Sequence, residues 1–216
     1  MTIDDIYREA LKVRYDDSSI IVNGSTIAEY LDSPFNVYCQ VFVSPEEQDP
    51  PNDYQKLLLA RGIDHERQVL EQNYPEAQSV QEFASEEEGF YKTLELMAAG
   101  ISVISGMPLV HSPSGMRGRP DLLIRDDSEP SLFGPYNYRV IEIKFAKNIR
   151  NAHMAQAAFY TRLLGHIQGL EPKTFSIING EKETFSIPRN EYDGIVDQAI
   201  EGILHISSGE KIDPSY

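Results

Sequence analysis

Two short apolar segments with charged residues at their ends constrain this chain most strongly. They are Gly118-Arg119-Pro120-Asp121-Leu122-Leu123-Ile124 and Val140-Ile141-Glu142-Ile143-Lys144. Apolar, β-branched runs bounded by turn residues predict buried strands. Alternate residues of a strand point to the same face, so Glu142 and Lys144 should lie side by side while the isoleucines around Glu142 enter a core.

The charged residues at the ends of these strands indicate a metal-dependent phosphodiesterase centre. Asp121 and Glu142 offer carboxylate oxygens, which Mg²⁺ and Mn²⁺ bind in octahedral geometry. The backbone carbonyl of Ile143 is a further candidate ligand, and Lys144 can orient an attacking water. For each piece taken alone, an exposed ion pair at a strand end is the alternative interpretation.

Three more side chains are candidates for the same centre. Gln156 and Tyr160 lie four residues apart on the helix predicted after the second strand, so they share one face and can point back toward the metal. The alternative places Tyr160 in the core and Gln156 on the surface. His65 lies in an earlier helix and offers an imidazole, a common metal ligand, although a single helix histidine is more often a surface residue.

The charge of the chain is strongly negative but uneven. The net charge of −15 argues against strong non-specific binding of nucleic acid. Residues 117–173 nevertheless carry about +3 and the remainder about −18, so the suspected centre lies in the basic part of an acidic protein. The basic residues beside it can follow a phosphate backbone or can simply be solvated; they are Arg117, Arg119, Lys147 and Arg150.

Length and cysteine content limit the class of protein. With 216 residues, 41% of them hydrophobic, one domain with a full core is expected. Cys39 is the only cysteine, which excludes an intramolecular disulfide and any cluster or zinc site held by several thiolates of this chain. The chain has no long apolar run and does not begin like a signal peptide, so we expect a cytoplasmic protein without a membrane partner.

Hydrophobic periodicity and turn residues predict the order of the elements. Helices are predicted at residues 1–13, 25–31, 54–74, 86–99 and 152–167, and from a cap at Asn190 to about residue 206. Strands are predicted at residues 20–22, 101–107, 117–125, 138–144, 174–179 and 183–187. This order predicts an α/β fold with a central mixed β-sheet flanked by helices. We divide the chain into an N-terminal helical and loop appendage (1–53), a core (54–206) and a polar tail (207–216).

Four short motifs follow one another along the chain. They are Gly62-Ile63-Asp64-His65, Gly118-Arg119-Pro120-Asp121, Glu142-Ile143-Lys144 and Gln156-Ala157-Ala158-Phe159-Tyr160. In residue type and order they resemble the motifs of the RecB-like branch of the PD-(D/E)xK nuclease superfamily, over roughly residues 54–206. The resemblance implies a restriction-endonuclease-like core around the central sheet.

The same resemblance implies an activity and a set of roles. The implied activity is a Mg²⁺- or Mn²⁺-dependent deoxyribonuclease, an exonuclease on single-stranded DNA or DNA ends, with a helicase or another domain or subunit as a candidate partner. The implied roles are metal binding by His65, Asp121, Glu142 and the Ile143 carbonyl, catalysis by Lys144, and DNA contact or support of the lysine by Gln156 and Tyr160.

The chain departs from that family in its cysteines. Many RecB-like nucleases carry four cysteines that hold an iron–sulfur cluster. Cys39 lies near the position of a first such cysteine, but the chain offers no partners for it, so no cluster is expected from this chain alone.

The sequence leaves two other functional hypotheses open. One is a non-catalytic module on the same fold that binds nucleic acid or a protein. The other is a chance assembly of these motifs on an unrelated α/β enzyme, whose substrate pocket would then lie elsewhere on the sheet.

Overall fold

A computed structural model of the protein describes residues 1–12 and 22–209. Within them the helices are α1 Ile3–Ala10, α2 Gly24–Asp32, α3 Pro34–Phe42, α4 Asp53–Asn73, α5 Glu86–Ala98, α6 Asn151–Gln168 and α7 Asp193–Ser207. The strands are β1 Val22–Asn23, β2 Val103–Ser105, β3 Leu109–His111, β4 Met116–Gly118, β5 Leu122–Asp126, β6 Asn137–Ile143, β7 Thr174–Ile178 and β8 Thr184–Pro188. The predicted α/β class is confirmed.

The central sheet has five strands in the order β2-β5-β6-β7-β8. The β6–β7 pair is parallel and the other three neighbouring pairs are antiparallel, so the sheet is mixed, as predicted. The register pairs Leu122 of β5 with Ile141 of β6. Asp121 and Glu142 are the next residues along these two strands, so they meet where the pair ends.

The two faces of this sheet bury different cores. Neighbouring residues of a strand, such as Leu122 and Leu123, go to opposite faces. Helices α5 and α6 lie on one face, and α7 joins them in the main core. Helix α4 covers the other face, where Val69, Leu122 and Ile143 belong to a smaller cluster that Ile141 also contacts. The prediction that the isoleucines around the glutamate enter a core is therefore confirmed.

The single strand predicted at residues 117–125 is wrong. The structure divides this segment between β4, which belongs to a second sheet of order β1-β4-β3, and β5 of the central sheet. Pro120 lies at the break, and proline lacks the N–H that a continuous ladder needs. The chain therefore passes from the second sheet to the central sheet immediately before Asp121, at the edge of the candidate centre.

Several smaller elements also differ from prediction. Helix α3 and strand β3 were not predicted, because each is short and carries no strong periodic pattern. Asn190 does not cap the last helix: it lies in a 3₁₀ turn, Arg189–Glu191, and α7 begins after Tyr192. The predicted hairpin of β7 and β8 is confirmed.

Residues before the predicted division at residue 53 share the main core. Ile6 of α1, Ile27 of α2 and Val37 of α3 are buried in it, and β1 pairs with β4. The division therefore does not coincide with a break in hydrophobic packing. Residue 13 of the predicted first helix, residues 20–21 of the predicted first strand and residues 210–216 of the predicted tail lie outside the described residues.

Helix α4 packs only along its second half. A capping box between Asn52 and Gln55 starts the helix. His65 and Val69 are its buried residues. Leu57 is 50% exposed and Ile63 59% exposed, despite their helical spacing. None of the helices within residues 1–12 and 22–209 is long and apolar enough to cross a membrane.

Candidate active site

Asp121 and Glu142 hold each other in place across the end of the β5–β6 pair. The backbone N–H of Asp121 donates to Oε1 of Glu142 at 3.1 Å, and the N–H of Ile143 donates to Oδ2 of Asp121 at 2.6 Å. Glu142 is only 1% exposed. Side-chain acceptors thus replace ladder bonds where the strands separate, which fixes two carboxylates beside one another.

Lys144 joins this pair, as the alternation of β6 predicts. Its Nζ donates to Oε2 of Glu142 at 2.8 Å, and its side chain is 18% exposed. Burial alone would lower the pKa of Lys144, but the charges of Glu142 and Asp121 outweigh it and raise the pKa above its usual range. The side chain is therefore a fixed ammonium that still reaches the surface of the site.

A third carboxylate, Glu66 of α4, lies near enough to Glu142 to interact with its charge. Burial raises the pKa of Glu66, and the charge of Glu142 raises it further. Burial, then Glu142, and with a smaller contribution Glu66, raise the pKa of Asp121 well above its usual value. We call Glu66, Asp121 and Glu142 the carboxylate cluster. Mutual repulsion disfavours the ionised form of this cluster, and Lys144 is the one cation paired with it within the described residues.

His65, the predicted metal ligand next to Glu66, is turned elsewhere. Its Nε2 lies 3.1 Å from the backbone oxygen of Asn179, so this nitrogen carries the proton and donates. The ring is buried and stands edge-on to Phe145, 5.9 Å between centroids. The structure therefore does not aim Nε2 at the carboxylate cluster, and the role of His65 in metal binding stays a prediction.

Glu66 is a residue that the sequence reasoning missed. His65 and Glu66 are consecutive on a helix and point about 100° apart, so the packing of α4 decides which of them faces the centre. The motif favoured the histidine. Val69, an apolar residue four positions after His65, is the sequence signal that could have placed His65 on the packed side of α4, where the structure buries both residues.

The donor set suits a small hard cation. Carboxylate oxygens, together with the carbonyl of Ile143, are the ligands that Mg²⁺ and Mn²⁺ prefer, and a cation would offset the clustered negative charge. No three acidic, histidine or cysteine side chains within residues 1–12 and 22–209 already surround one point as a complete ligand set. The oxygens of Asp121 and Glu142 are instead directed at backbone N–H groups and Lys144.

Helix α6 closes the site with Tyr160 and Gln156. Nε2 of Gln156 donates to the Tyr160 hydroxyl at 3.3 Å, so the predicted common face is confirmed. Tyr160 is 4% exposed. Burial, and next the charge of Glu142, raise the pKa of Tyr160 above its usual range, which keeps the phenol protonated beside the cluster.

Two glycines explain how the Tyr160 ring reaches this position. A Cβ atom built on Gly24 or on Gly118 would lie 2.2 Å from Cε1 of Tyr160. The ring is therefore held between the start of α2 and the end of β4. This close approach gives Gly118, the first residue of the Gly-Arg-Pro-Asp motif, a physical role.

We expect Gly118→Ala to displace Tyr160 and to lower stability by about 1–3 kcal/mol, the usual effect of overpacking. The control is Gly62→Ala, because a Cβ at Gly62 meets nothing within 4 Å and alanine favours a helix interior. Urea unfolding should show Gly118→Ala less stable, and Gly62→Ala as stable as the wild type or more so. Equal stability of the two variants would contradict this account of Gly118.

His153 is a second residue that the sequence reasoning missed. It precedes Gln156 by one turn of α6 and Tyr160 by two, so the three share a face. Burial, followed by the charges of Lys144 and Arg150, lowers the pKa of His153 to about 4. It is therefore neutral at pH 7 and near enough to Lys144 to sense its charge.

The four predicted phosphate-binding residues differ in their partners. Arg117 pairs with Glu86 at 3.2 Å, Lys147 with Glu181 at 2.7 Å, and Arg150 with Asp32 at 2.7 Å. Arg119 instead lies over a ring, with Cζ 5.3 Å from the centroid of Phe83. Contact of these residues with nucleic acid stays a prediction.

Comparison with known proteins adds no relative to this picture. No family model matches the chain, and no curated protein matches it.

Proposed function

We propose that the protein is a metal-dependent DNA nuclease, with a restriction-endonuclease-like core of the RecB-like type, that hydrolyses phosphodiester bonds of single-stranded DNA or DNA ends. The observation that supports this most is the convergence of Asp121, Glu142 and Lys144 where β5 and β6 separate. Glu66 of α4 and Tyr160 of α6 flank them. Residues from distant parts of the chain thereby assemble one polar centre at the end of a buried sheet.

Each residue has a role in the proposed reaction. Asp121 and Glu142 would hold Mg²⁺ or Mn²⁺, with Glu66 or His65 and the Ile143 carbonyl as further ligands. The cation would lower the pKa of a water and offset charge on the phosphate. Lys144, kept charged by Glu142, would orient the attacking water and stabilise the charge that develops on the phosphate. Tyr160 and Gln156 would support that geometry or contact the strand.

A non-catalytic binding module is the second candidate function. The observation that favours it is the pairing of Arg117, Lys147 and Arg150 with carboxylates, which reduces the basic surface available to DNA. The two candidates differ in what they require of the carboxylate cluster. An enzyme of the proposed type needs a cation there, whereas a binding module does not.

Calorimetric titration with Mn²⁺ separates the two candidates. We expect saturable binding to the wild type and at least about tenfold weaker binding to Glu66→Gln, because a carboxylate of the proposed ligand set is lost. Asp64→Asn is the matched control, since Asp64 lies two residues away on the exposed side of α4 and pairs with Arg67. His65→Asn tests the other candidate ligand on this helix.

Each outcome of the titration has a definite meaning. Loss of Mn²⁺ binding in Glu66→Gln but not in Asp64→Asn supports the metal centre. If the wild type binds no Mn²⁺, the proposed nuclease is wrong and the binding module becomes the better account.

A further inference from the structure

A pocket of about 230 Å³ opens directly beside the carboxylate cluster. Glu66 and Leu70 of α4, Ser105 and Gly106 at the end of β2, and a loop after α4 line it. The loop contributes Ser79, Val80, Gln81 and Phe83, and Arg119 completes the rim. Glu66 therefore belongs both to the pocket and to the carboxylate cluster.

The pocket is tied to the catalytic strand by the backbone. The N–H of Gly106 donates to the carbonyl of Asp121 at 3.0 Å. Arg119 precedes Asp121 by two residues, across the proline that breaks the strand. A ligand in this pocket would consequently lie next to whatever occupies the carboxylate cluster.

Arg119 differs from the other basic residues around the site. Within residues 1–12 and 22–209 it forms no ion pair with a carboxylate, although Glu66 lines the same pocket. Its guanidinium lies over the Phe83 ring at 5.3 Å. No hydrogen bond within the part of the chain that the structure describes uses the N–H groups of this guanidinium, so they are available to donate.

We propose that this pocket binds the nucleotide that flanks the cleaved phosphodiester bond, with Arg119 as the donor to its phosphate. This inference rests on the proposed nuclease function, which places the cleaved phosphodiester bond at the carboxylate cluster. It adds to that proposal a subsite for one nucleotide and identifies Arg119 as the residue that binds the phosphate of that nucleotide.

The chemistry of the pocket fits a nucleotide better than a simple anion. Arg119 supplies an edge of N–H donors that matches phosphate oxygens. Leu70, Val80 and Phe83 supply apolar surface for a base or sugar, and Ser79 and Gln81 supply hydrogen-bonding groups. The volume of about 230 Å³ suits part of one nucleotide.

The test is an NMR titration of the full chain in EDTA with thymidine 5′-monophosphate, thymidine and inorganic phosphate. Without metal, the readout does not depend on catalysis. We expect the monophosphate to shift the signals of residues 79–83, 105 and 106 and to bind more tightly than thymidine or phosphate alone. Arg119→Ala should weaken binding of the monophosphate at least about tenfold, the loss of a charge-assisted hydrogen bond.

The control is Arg67→Ala, which removes an exposed arginine of α4 that pairs with Asp64 and does not line the pocket. Equal affinity of Arg119→Ala and Arg67→Ala for the monophosphate would overturn the proposal. So would binding of inorganic phosphate as tight as that of the monophosphate, which would indicate a simple anion site.

Failure of the subsite and failure of the nuclease can be told apart. If the protein cleaves DNA while Arg119→Ala binds thymidine 5′-monophosphate like the wild type, the subsite is wrong and the nuclease stands. If the monophosphate binds through Arg119 but the protein binds no Mn²⁺, the nucleotide pocket stands and the nuclease is wrong. For an active protein, Arg119→Ala should also reduce the salt dependence of DNA binding by about one phosphate contact.

Discussion

Lys144→Ala should abolish cleavage of DNA, lowering the single-turnover rate at least about 100-fold. The ammonium of Lys144 is the one cation that contacts Glu142, at 2.8 Å, within the described part of the chain, and it is held charged at the surface of the site. Alanine removes the group that orients water and leaves the proposed metal ligands in place. Cleavage of end-labelled single-stranded DNA with Mn²⁺ is the measurement.

The loss must be separated from unfolding. Alanine leaves Glu142, which is 1% exposed, without its ion-pair partner, so we expect a stability loss of about 2 kcal/mol. Activity should therefore be measured well below the melting temperature of the variant. Lys173→Ala is the control, because Lys173 is 81% exposed and pairs with Glu129 away from the site. Normal cleavage by Lys144→Ala would exclude Lys144 as the catalytic lysine.

Asp121→Asn should melt at a higher temperature than the wild type when no metal is present. Burial and the charges of Glu142 and Glu66 raise the pKa of Asp121 above its value in the unfolded chain. Between those two values the folded state holds a proton that the unfolded state has released, so stability falls as the pH rises through this window. Asparagine cannot ionise, and its amide oxygen can still accept from the N–H of Ile143.

The size of the effect should depend on pH and on metal. Each kcal/mol corresponds to about 2–4 °C in a chain of this size. Below about pH 3.9, the pKa of an aspartate in the unfolded chain, both states of the wild type hold the proton, so the two proteins should melt at the same temperature. As the pH rises above this value, the melting temperature of Asp121→Asn should increase relative to that of the wild type. Mn²⁺ should stabilise the wild type and not the variant. A variant that melts lower than the wild type at neutral pH in EDTA would contradict the account of Asp121.

Most of what was predicted correctly about the centre follows from the alternation of side chains along a strand. Alternation alone put Glu142 beside Lys144 and sent Ile143 into the opposite core, and both placements are confirmed. The spacing of Gln156 and Tyr160 likewise predicted that they share one helix face, and the hydrogen bond between them confirms this. These relations depend on residues two or four apart, where local geometry leaves little freedom.

The sequence did not predict which residues of distant elements come together at the site. Whether His65 or Glu66 faces the centre depends on how α4 packs on the sheet, and the short motif around His65 does not specify that packing. The position of Tyr160 depends on Gly24 and Gly118, which lie on other elements. The carboxylate partners of the basic residues, such as Asp32 for Arg150, are also brought together only by the fold.

Incubation of the purified protein with end-labelled single-stranded and double-stranded DNA tests the central claim most directly. Parallel reactions would contain Mn²⁺, Mg²⁺ or EDTA, with Lys144→Ala and Lys173→Ala beside the wild type. The account predicts metal-dependent degradation by the wild type and Lys173→Ala, none in EDTA, and none by folded Lys144→Ala. Absence of cleavage by the folded wild-type protein with either metal, or equal cleavage by Lys144→Ala, would contradict it.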